Sequence, residues 1–272
     1  MKVIIHDVKI SAEKPFCLIP ISDIHMGHAD YDADFAKKTI SWIAKKGAST
    51  ILLGDLIDGI CPKDLRFENK SIADEFRVHL DNLHHKQTEA VVKLINPIKE
   101  NVIAIMAGNH EETVKKYYSY DSTQVIAEEI KKPIIPDPSY VVLRFDCNGS
   151  KRLVSIFCTH GQFLGGRKRG GKVNRMEDLA ASFEADIYLA GHSHDLFVTR
   201  VDKIGLSRNG DYETKRNFFI NTGSFMDTYL QGNFSTWGSR KLFPPNRPAV
   251  ARIDFYAKNK DNKRYIDVHC RT

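Results

Sequence analysis

Five separate apolar runs in the chain each break off on a short cluster of Asp, His or Asn. FCLIPI is followed by SDIH, which carries Asp23 and His25, and ILL by GDLID, which carries Asp55 and Asp58. VIAIM leads into AGNHE with Asn109 and His110, LVSIF into CTHG with His160, and IYLA into GHSH with His192 and His194. Short aliphatic runs bounded by Gly or Asp, alternating with helical stretches, read as parallel strands covered on both faces. Ligands of open α/β sheets bind outside the carboxyl ends of such strands. One convergent site is therefore a simpler reading than five separate ones.

The rest of the pattern predicts a layered α/β fold. Residues 2 to 10, 16 to 21 and 49 to 53 read as strands, and 32 to 46 as a helix, a βαβ rhythm with short connections. A long helical stretch is expected from Ser71 to Leu94, with Ile72, Phe76, Leu80, Leu83, Ala90 and Leu94 at spacings near three or four. A broken helical region covers 111 to 131, and an extended pair at 139 to 146 and 152 to 158 is joined by CNGS. Val173, Met176, Leu179, Ala180 and Phe183 mark another helix. Beyond residue 196 the chain reads as strand and loop, with YETKRNFFINTGS and PAVARIDFYA as the best strands. A single sheet would be very wide, so two mixed sheets flanked by helices, an α/β/β/α sandwich, are expected within one domain spanning 1–272.

Composition narrows the class. The chain has 272 residues, 42% hydrophobic and 27% charged, which suits a large buried core. No apolar stretch reaches the roughly 18 to 20 residues that span a bilayer. The opening MKVIIHDVKISAEK is interrupted by His6 and Asp7 and does not read as a leader. Five cysteines without CxxC spacing argue against a disulfide framework or a thiolate zinc site, so the cytoplasm is the expected location, with no membrane partner. The net charge of +6 is mild. Bound metal would neutralise Asp23, Asp55 and Asp58, leaving a site mouth that favours an anionic substrate.

Imidazole, carboxylate and amide donors without thiolate suit Mn, Fe, Zn or Ni, with Mn the first expectation. Taken in order, the blocks D-x-H, G-D-x-x-D, G-N-H-[DE], H-G and G-H-x-H resemble those of the calcineurin-like metallophosphoesterase superfamily. They run from Asp23 to His194. The resemblance implies two divalent metal ions, with Asp23, His25 and His194 on one, Asn109, His160 and His192 on the other, and Asp55 bridging them. It also implies a metal-bridging hydroxide as nucleophile, His110 as the group that contacts the phosphate and protonates the leaving oxygen, and Asp58 as its orienting partner. Glu111 stands where many relatives carry Asp.

Substrate signals are thinner. The loop GQFLGGRKRGGK follows His160, and its Arg167, Lys168 and Arg169, with Lys172, could bind phosphates beyond the scissile one or form a solvated basic loop. Tyr117, Tyr118, Tyr120, Phe225, Tyr229, Phe234 and Trp237 could stack bases or simply pack a core. His28 follows the first cluster, where an indirect role is favoured over direct contact with substrate. His79, His84 and His85 fall on the predicted helix and read as structural.

The leading expectation is a phosphodiesterase acting on nucleic acid or nucleotides, since SDIHMG and GDLID look closer to the superfamily's nuclease branch than to its protein phosphatases. A phosphomonoesterase acting on a small metabolite or phosphoprotein uses the same metals and is the first alternative. A non-catalytic scaffold of the same fold is the second. Oligomeric state is open, a homo-oligomer included.

Overall fold

The computed structural model describes residues 1–11, 13–64, 66–147, 149–207, 209–229, 237–260 and 263–272. In chain order the elements are β1 (Val3–Lys9), β2 (Phe16–Leu18), α1 (Ala33–Lys46), β3 (Thr50–Leu53), α2 (Asp74–Arg77), α3 (Leu83–Ile95), β4 (Val102–Met106), α4 (Asn109–Tyr118) and α5 (Ser122–Ile130). There follow β5 (Ser139–Cys147), β6 (Ser150–Cys158), α6 (Arg169–Leu179), β7 (Ile187–Ala190), β8 (Leu196–Leu206), β9 (Tyr212–Ser224), α7 (Trp237–Arg240), β10 (Ala249–Val250), β11 (Arg252–Lys260) and β12 (Lys263–Arg271).

Two mixed sheets stack face to face. The first has the order β1-β5-β6-β7-β9, with β8 and β10 on the far edge of β9; β5 with β6 and β8 with β9 are antiparallel, while β6, β7 and β9 run parallel. The second begins β12-β11-β2. Beyond β2 the chain stays beside β3, where the Ile19 and Ile21 amides donate to Ser49 and Ile51 carbonyls, and β3 pairs with β4 in parallel.

Period-two alternation decides which face each side chain takes. In β6, β7 and β9, Ile156, Cys158, Ile187, Leu189, Phe218 and Ile220 point between the sheets, where they meet Leu18, Ile51, Leu53, Ile103 and Phe255. Their neighbours Phe157, Tyr188, Ala190 and Phe219 point outward and pack on Met176 of α6 and on Leu164. On the outer face of the second sheet, Ile21, Leu52 and Ile105 meet Ile40 and Ile43 of α1, Val91 of α3 and Ile126 of α5. The result is the expected four layers.

Helix ends follow local chemistry. Asp32 caps α1 by accepting from the Phe35 amide at 2.8 Å, and Gly47 closes it in the left-handed region. The single helix expected from Ser71 to Leu94 is instead α2 and α3, separated by a turn. Asp81 and Asn82 favour turns and caps over helix interiors, and Val78 just past α2 is 79% exposed. His79 therefore lies in the turn, while His84 and His85 lie on α3. Among the described residues no helix is long and apolar enough to cross a membrane.

Candidate metal centre

All five clusters meet at one end of the sandwich. The second sheet delivers Asp23, His25, Asp55 and Asn109; the first delivers His160, His192 and His194. Backbone strain concentrates there. Asp23, His25, Asp55, His192 and His194 have φ of 52°, 50°, 52°, 64° and 59°, so among the described residues five of the eight non-glycine residues at positive φ are candidate ligands. A side chain in that region costs on the order of 1–3 kcal/mol, which persists only where surrounding structure enforces it.

Carboxylates knit the loops together. Asp55 Oδ1 accepts from the His110 amide at 3.0 Å, and Asp23 Oδ2 accepts from the His192 amide at 2.8 Å. These approaches require glycine next to the ligands. A Cβ on Gly108 would stand 2.2 Å from Asp55 Oδ1, and one on Gly191 2.6 Å from Asp23 Oδ2. Glu111 completes the frame by accepting four amides, from Asp55 (2.9 Å), Leu56 (2.6 Å), Ile57 (3.1 Å) and Gly108 (2.8 Å).

The donor set forms two adjoining groups. Asp23, His25 and His194 make one, and Asp55, His160 and His192 the other, with ligand atoms of each within 4.8 Å of one another; His25, Asp55 and His110 form a third that overlaps both. His160 Nδ1 donates to the Leu53 carbonyl at 2.8 Å, which leaves Nε2 at 3.0 Å from Asn109 Oδ1 and 3.2 Å from Asp55 Oδ2. His25 Nε2 and His194 Nε2 face each other at 3.0 Å. His192 Nδ1 is buried and without a hydrogen-bond partner. With the clustered His25 Nε2, His194 Nε2, His160 Nε2, Asn109 Oδ1 and Asp55 Oδ2, it makes a set of donors that fits divalent cations of the nitrogen- and oxygen-binding class.

Electrostatics agree with that fit. Burial pushes the Asp55 carboxyl up, but His110, His160 and His25 more than offset it and hold it well below the usual carboxylate range. Burial likewise lowers His25 and His160, yet Asp23 and Asp58 around the first, and Asp55 around the second, push each up to about 10. At His194 and His28 burial outweighs the nearby carboxylates and lowers them to about 3 and about 4.

Next to the centre, the His110 ring is held through Nδ1 by the main-chain carbonyl of Asp58. The Asp58 carboxylate stands closer to His25 Nδ1, at 3.5 Å, than to His110 Nδ1, at 4.0 Å. His28 is partly buried, accepts from the Asp30 amide at 3.0 Å and lines the cavity above the centre. That cavity, of about 390 Å³, is walled by Arg66, Ile60, Leu164, Lys172, Met226 and Phe243 among others. Phe243 and Asn246 belong to a strap across its mouth. Asn246 Nδ2 donates to the His194 carbonyl, Tyr229 Oη to the Phe243 carbonyl at 2.7 Å, and Arg240 pairs with Glu68.

The basic loop, read from the sequence as either phosphate-binding or solvated, divides between surface and cavity. Arg167, Lys168 and Arg169 are exposed and do not line the cavity; Arg167 donates to the Lys241 carbonyl of the strap at 2.7 Å, and Arg169 lies 3.8 Å from Asp195. Lys172 does line it, buried and paired with Asp195 at 2.5 Å. Phe225 is core, and Tyr118 and Tyr120 pack against His84 and His85. Tyr117 is exposed; Phe234 and the side chain of Trp237 lie outside the described residues. Sequence reading missed Arg66, whose NH1 lies 3.3 Å from His110 Nε2. It sits in an irregular loop without a motif, and its only signal is a basic residue a few positions beyond GDLID.

A family profile described as Calcineurin-like phosphoesterase matches residues 19–196. Among solved structures, Vacuolar Protein Sorting 29 from Cryptosporidium parvum is 15% identical with a TM-score of 0.39, covering 95% of this chain and 99% of that one. A metallophosphoesterase from Sphaerobacter thermophilus is 14% identical with a TM-score of 0.37, covering 94% and 87%. A predicted phosphoesterase from Streptococcus pneumoniae is 16% identical with a TM-score of 0.34, covering 94% and 98%. No curated protein sequence matches the chain.

Proposed function

Since the chain belongs to the calcineurin-like phosphoesterase family, we propose that it is a phosphoester hydrolase that works with two divalent metal ions on compact substrates of about nucleotide size. The observation that carries this is the position of Asp55, whose Oδ2 lies 3.2 Å from His160 Nε2 and 3.9 Å from His25 Nε2, between the two ligand groups. Asp23, His25 and His194 would hold one ion, Asn109, His160 and His192 the other, and Asp55 both, with Mn as the first candidate. Bound there, the ions would supply Lewis acidity and a water acidic enough to attack phosphorus near neutral pH. We take residues 1–272 as one catalytic domain, because β11 and β12 complete the sheet that carries Asp55.

The protein's own contribution lies above the ions. His110, fixed at Nδ1 by the Asp58 carbonyl, presents Nε2 to the cavity and is suited to give the leaving oxygen a proton. Asp58 acts on the centre through His25, whose Nδ1 it faces, and so fixes which nitrogen is offered inward. Ile60, Leu164, Met226 and Phe243 exclude water and receive the organic part of the substrate.

A second reading, cleavage at the end of a nucleic acid strand, draws on the exposed Lys168 and Arg169 near Asp195 at the cavity rim. Neither side chain lines the cavity itself. Hydrolysis of p-nitrophenyl phosphate and bis-p-nitrophenyl phosphate with Mn²⁺, beside an Asp55→Asn control, tests the hydrolase. Turnover lost in the control supports it, and silence toward both esters with full metal loading opposes it. Oligonucleotide cleavage that falls steeply with salt and depends on Arg169 would favour the second reading.

A further inference from the structure

Resting on the hydrolase reading, we propose that Arg66 binds a phosphoryl oxygen beside His110 and makes the site selective for phosphomonoesters. The guanidinium is fixed in place. Asp64 Oδ1 accepts the Arg66 amide at 2.8 Å and Nε at 3.0 Å, while Oδ2 accepts NH2 at 2.7 Å. The Asp64 side chain is only 9% exposed, and Arg66 itself lines the cavity. It orients the fork and leaves NH1 pointing at His110 Nε2, 3.3 Å away.

A guanidinium has no acceptor, so Nε2 is the acceptor in that contact. Nε2 is also the atom that faces the leaving oxygen in the proposed reaction. As the proton donor of the proposed reaction Nε2 must carry a hydrogen taken up from solvent and can then no longer accept from NH1, so NH1 requires another acceptor within the same reach, and a phosphoryl oxygen is what the substrate brings. Five N–H groups serve the guanidinium, and the contacts to Asp64 and His110 use three, so donors remain on both terminal nitrogens.

Charge and shape then select the substrate class. A phosphomonoester offers three non-ester oxygens and up to two negative charges, so one oxygen stays free for Arg66 after two have turned to the metal centre. A diester has only two such oxygens, and its second organic group would occupy the corner that Arg66 fills. Arg66, carrying a permanent positive charge, thus rewards the dianion and crowds the diester.

The test uses the full chain loaded with Mn²⁺, as wild type, Arg66→Ala and Arg66→Lys, with metal content measured for each. Wild type is expected to prefer p-nitrophenyl phosphate over bis-p-nitrophenyl phosphate. Arg66→Ala should lower kcat/KM about 10²-fold for the monoester and under about 5-fold for the diester, and Arg66→Lys should recover only part of the loss, because a point charge lacks the fork. Calorimetry should show inorganic phosphate bound at least about 10-fold more weakly by Arg66→Ala. Equal losses on both esters mean that Arg66 acts through His110 or the fold alone, and overturn the proposal. Should wild type hydrolyse neither ester, the hydrolase reading fails on its own, and phosphate binding still decides: equal affinity in wild type and Arg66→Ala overturns the Arg66 contact.

Discussion

The Nε2 atoms of His25 and His194 lie 3.0 Å apart although 169 residues separate them in the chain. Two imidazole nitrogens at that distance need a proton or a cation between them. Carboxylates around His25 push it up to about 10, so at neutral pH the metal-free pair holds a proton. Divalent metal must displace it. Calorimetry of Mn²⁺ binding in buffers of different ionisation enthalpy should show net proton release at pH 7, with affinity rising as pH increases toward about 10. Binding without proton release would contradict a metal seated between these rings.

Metal-free protein should be most stable near pH 6.5. His25 and His160 have folded values of about 10 against 6.5 unfolded, so their contribution is complete below 6.5 and is lost as pH rises toward 10. His28 and His194 have folded values of about 4 and about 3, so the unfolded chain takes up protons first and stability also falls as pH drops below 6.5. Thermal unfolding in EDTA across pH 4 to 10 should trace that dome. A flat profile would argue against the mixed imidazole and carboxylate cluster.

Asp55→Asn and His110→Asn should separate holding metal from using it. Loss of the central carboxylate is expected to reduce bound metal and activity together, by about 10²-fold or more in turnover. His110→Asn should retain both metals and slow turnover by roughly 10² to 10⁴. Elemental analysis beside steady-state kinetics checks the pair. Full activity in either variant would remove that residue from the site.

Glu111→Gln should destabilise the protein and weaken metal binding without touching a ligand. Its carboxylate accepts amides from Asp55, Leu56, Ile57 and Gly108, whereas a carboxamide has one acceptor and turns an NH₂ group on the remaining donors. Each amide left unpaired costs about 1–3 kcal/mol. Chemical denaturation of the metal-free form and Mn²⁺ titration should both register the loss. An unchanged midpoint would show that the loop finds other acceptors.

Most of the centre was legible because strand ends are. Buried runs such as VIAIM and IYLA can end only where the chain reaches the sheet edge, so polar residues just beyond them share one rim. The continuous apolar runs LVSIF and IYLA likewise foretold strands covered on both faces. Contacts that depend on loop path were not legible. Arg66 reaches His110 through an irregular turn, Arg167 holds the strap instead of facing the cavity, and Asp58 meets His110 by its carbonyl while its carboxylate turns to His25. The break between α2 and α3 escaped because apolar spacing continued across Asp81 and Asn82. Aromatic content left two readings open for a related reason: composition does not distinguish Phe225 in a core from a residue offered to a base.

Each ligand group also draws on both sheets. Asp23 and His25 face His194 across the sandwich, and Asp55 and Asn109 face His160 in the same way. The gap between the sheets is set by Leu53, Ile103, Ile156, Leu189, Ile220 and Phe255, none of which is a ligand. With metal bound as proposed, that inner layer would work as a gauge block for the coordination sphere. A methylene added or removed there would reset the jaw opening of the proposed clamp, so tolerance to core variation would be bounded by the ion's bond lengths as well as by the stability of the fold.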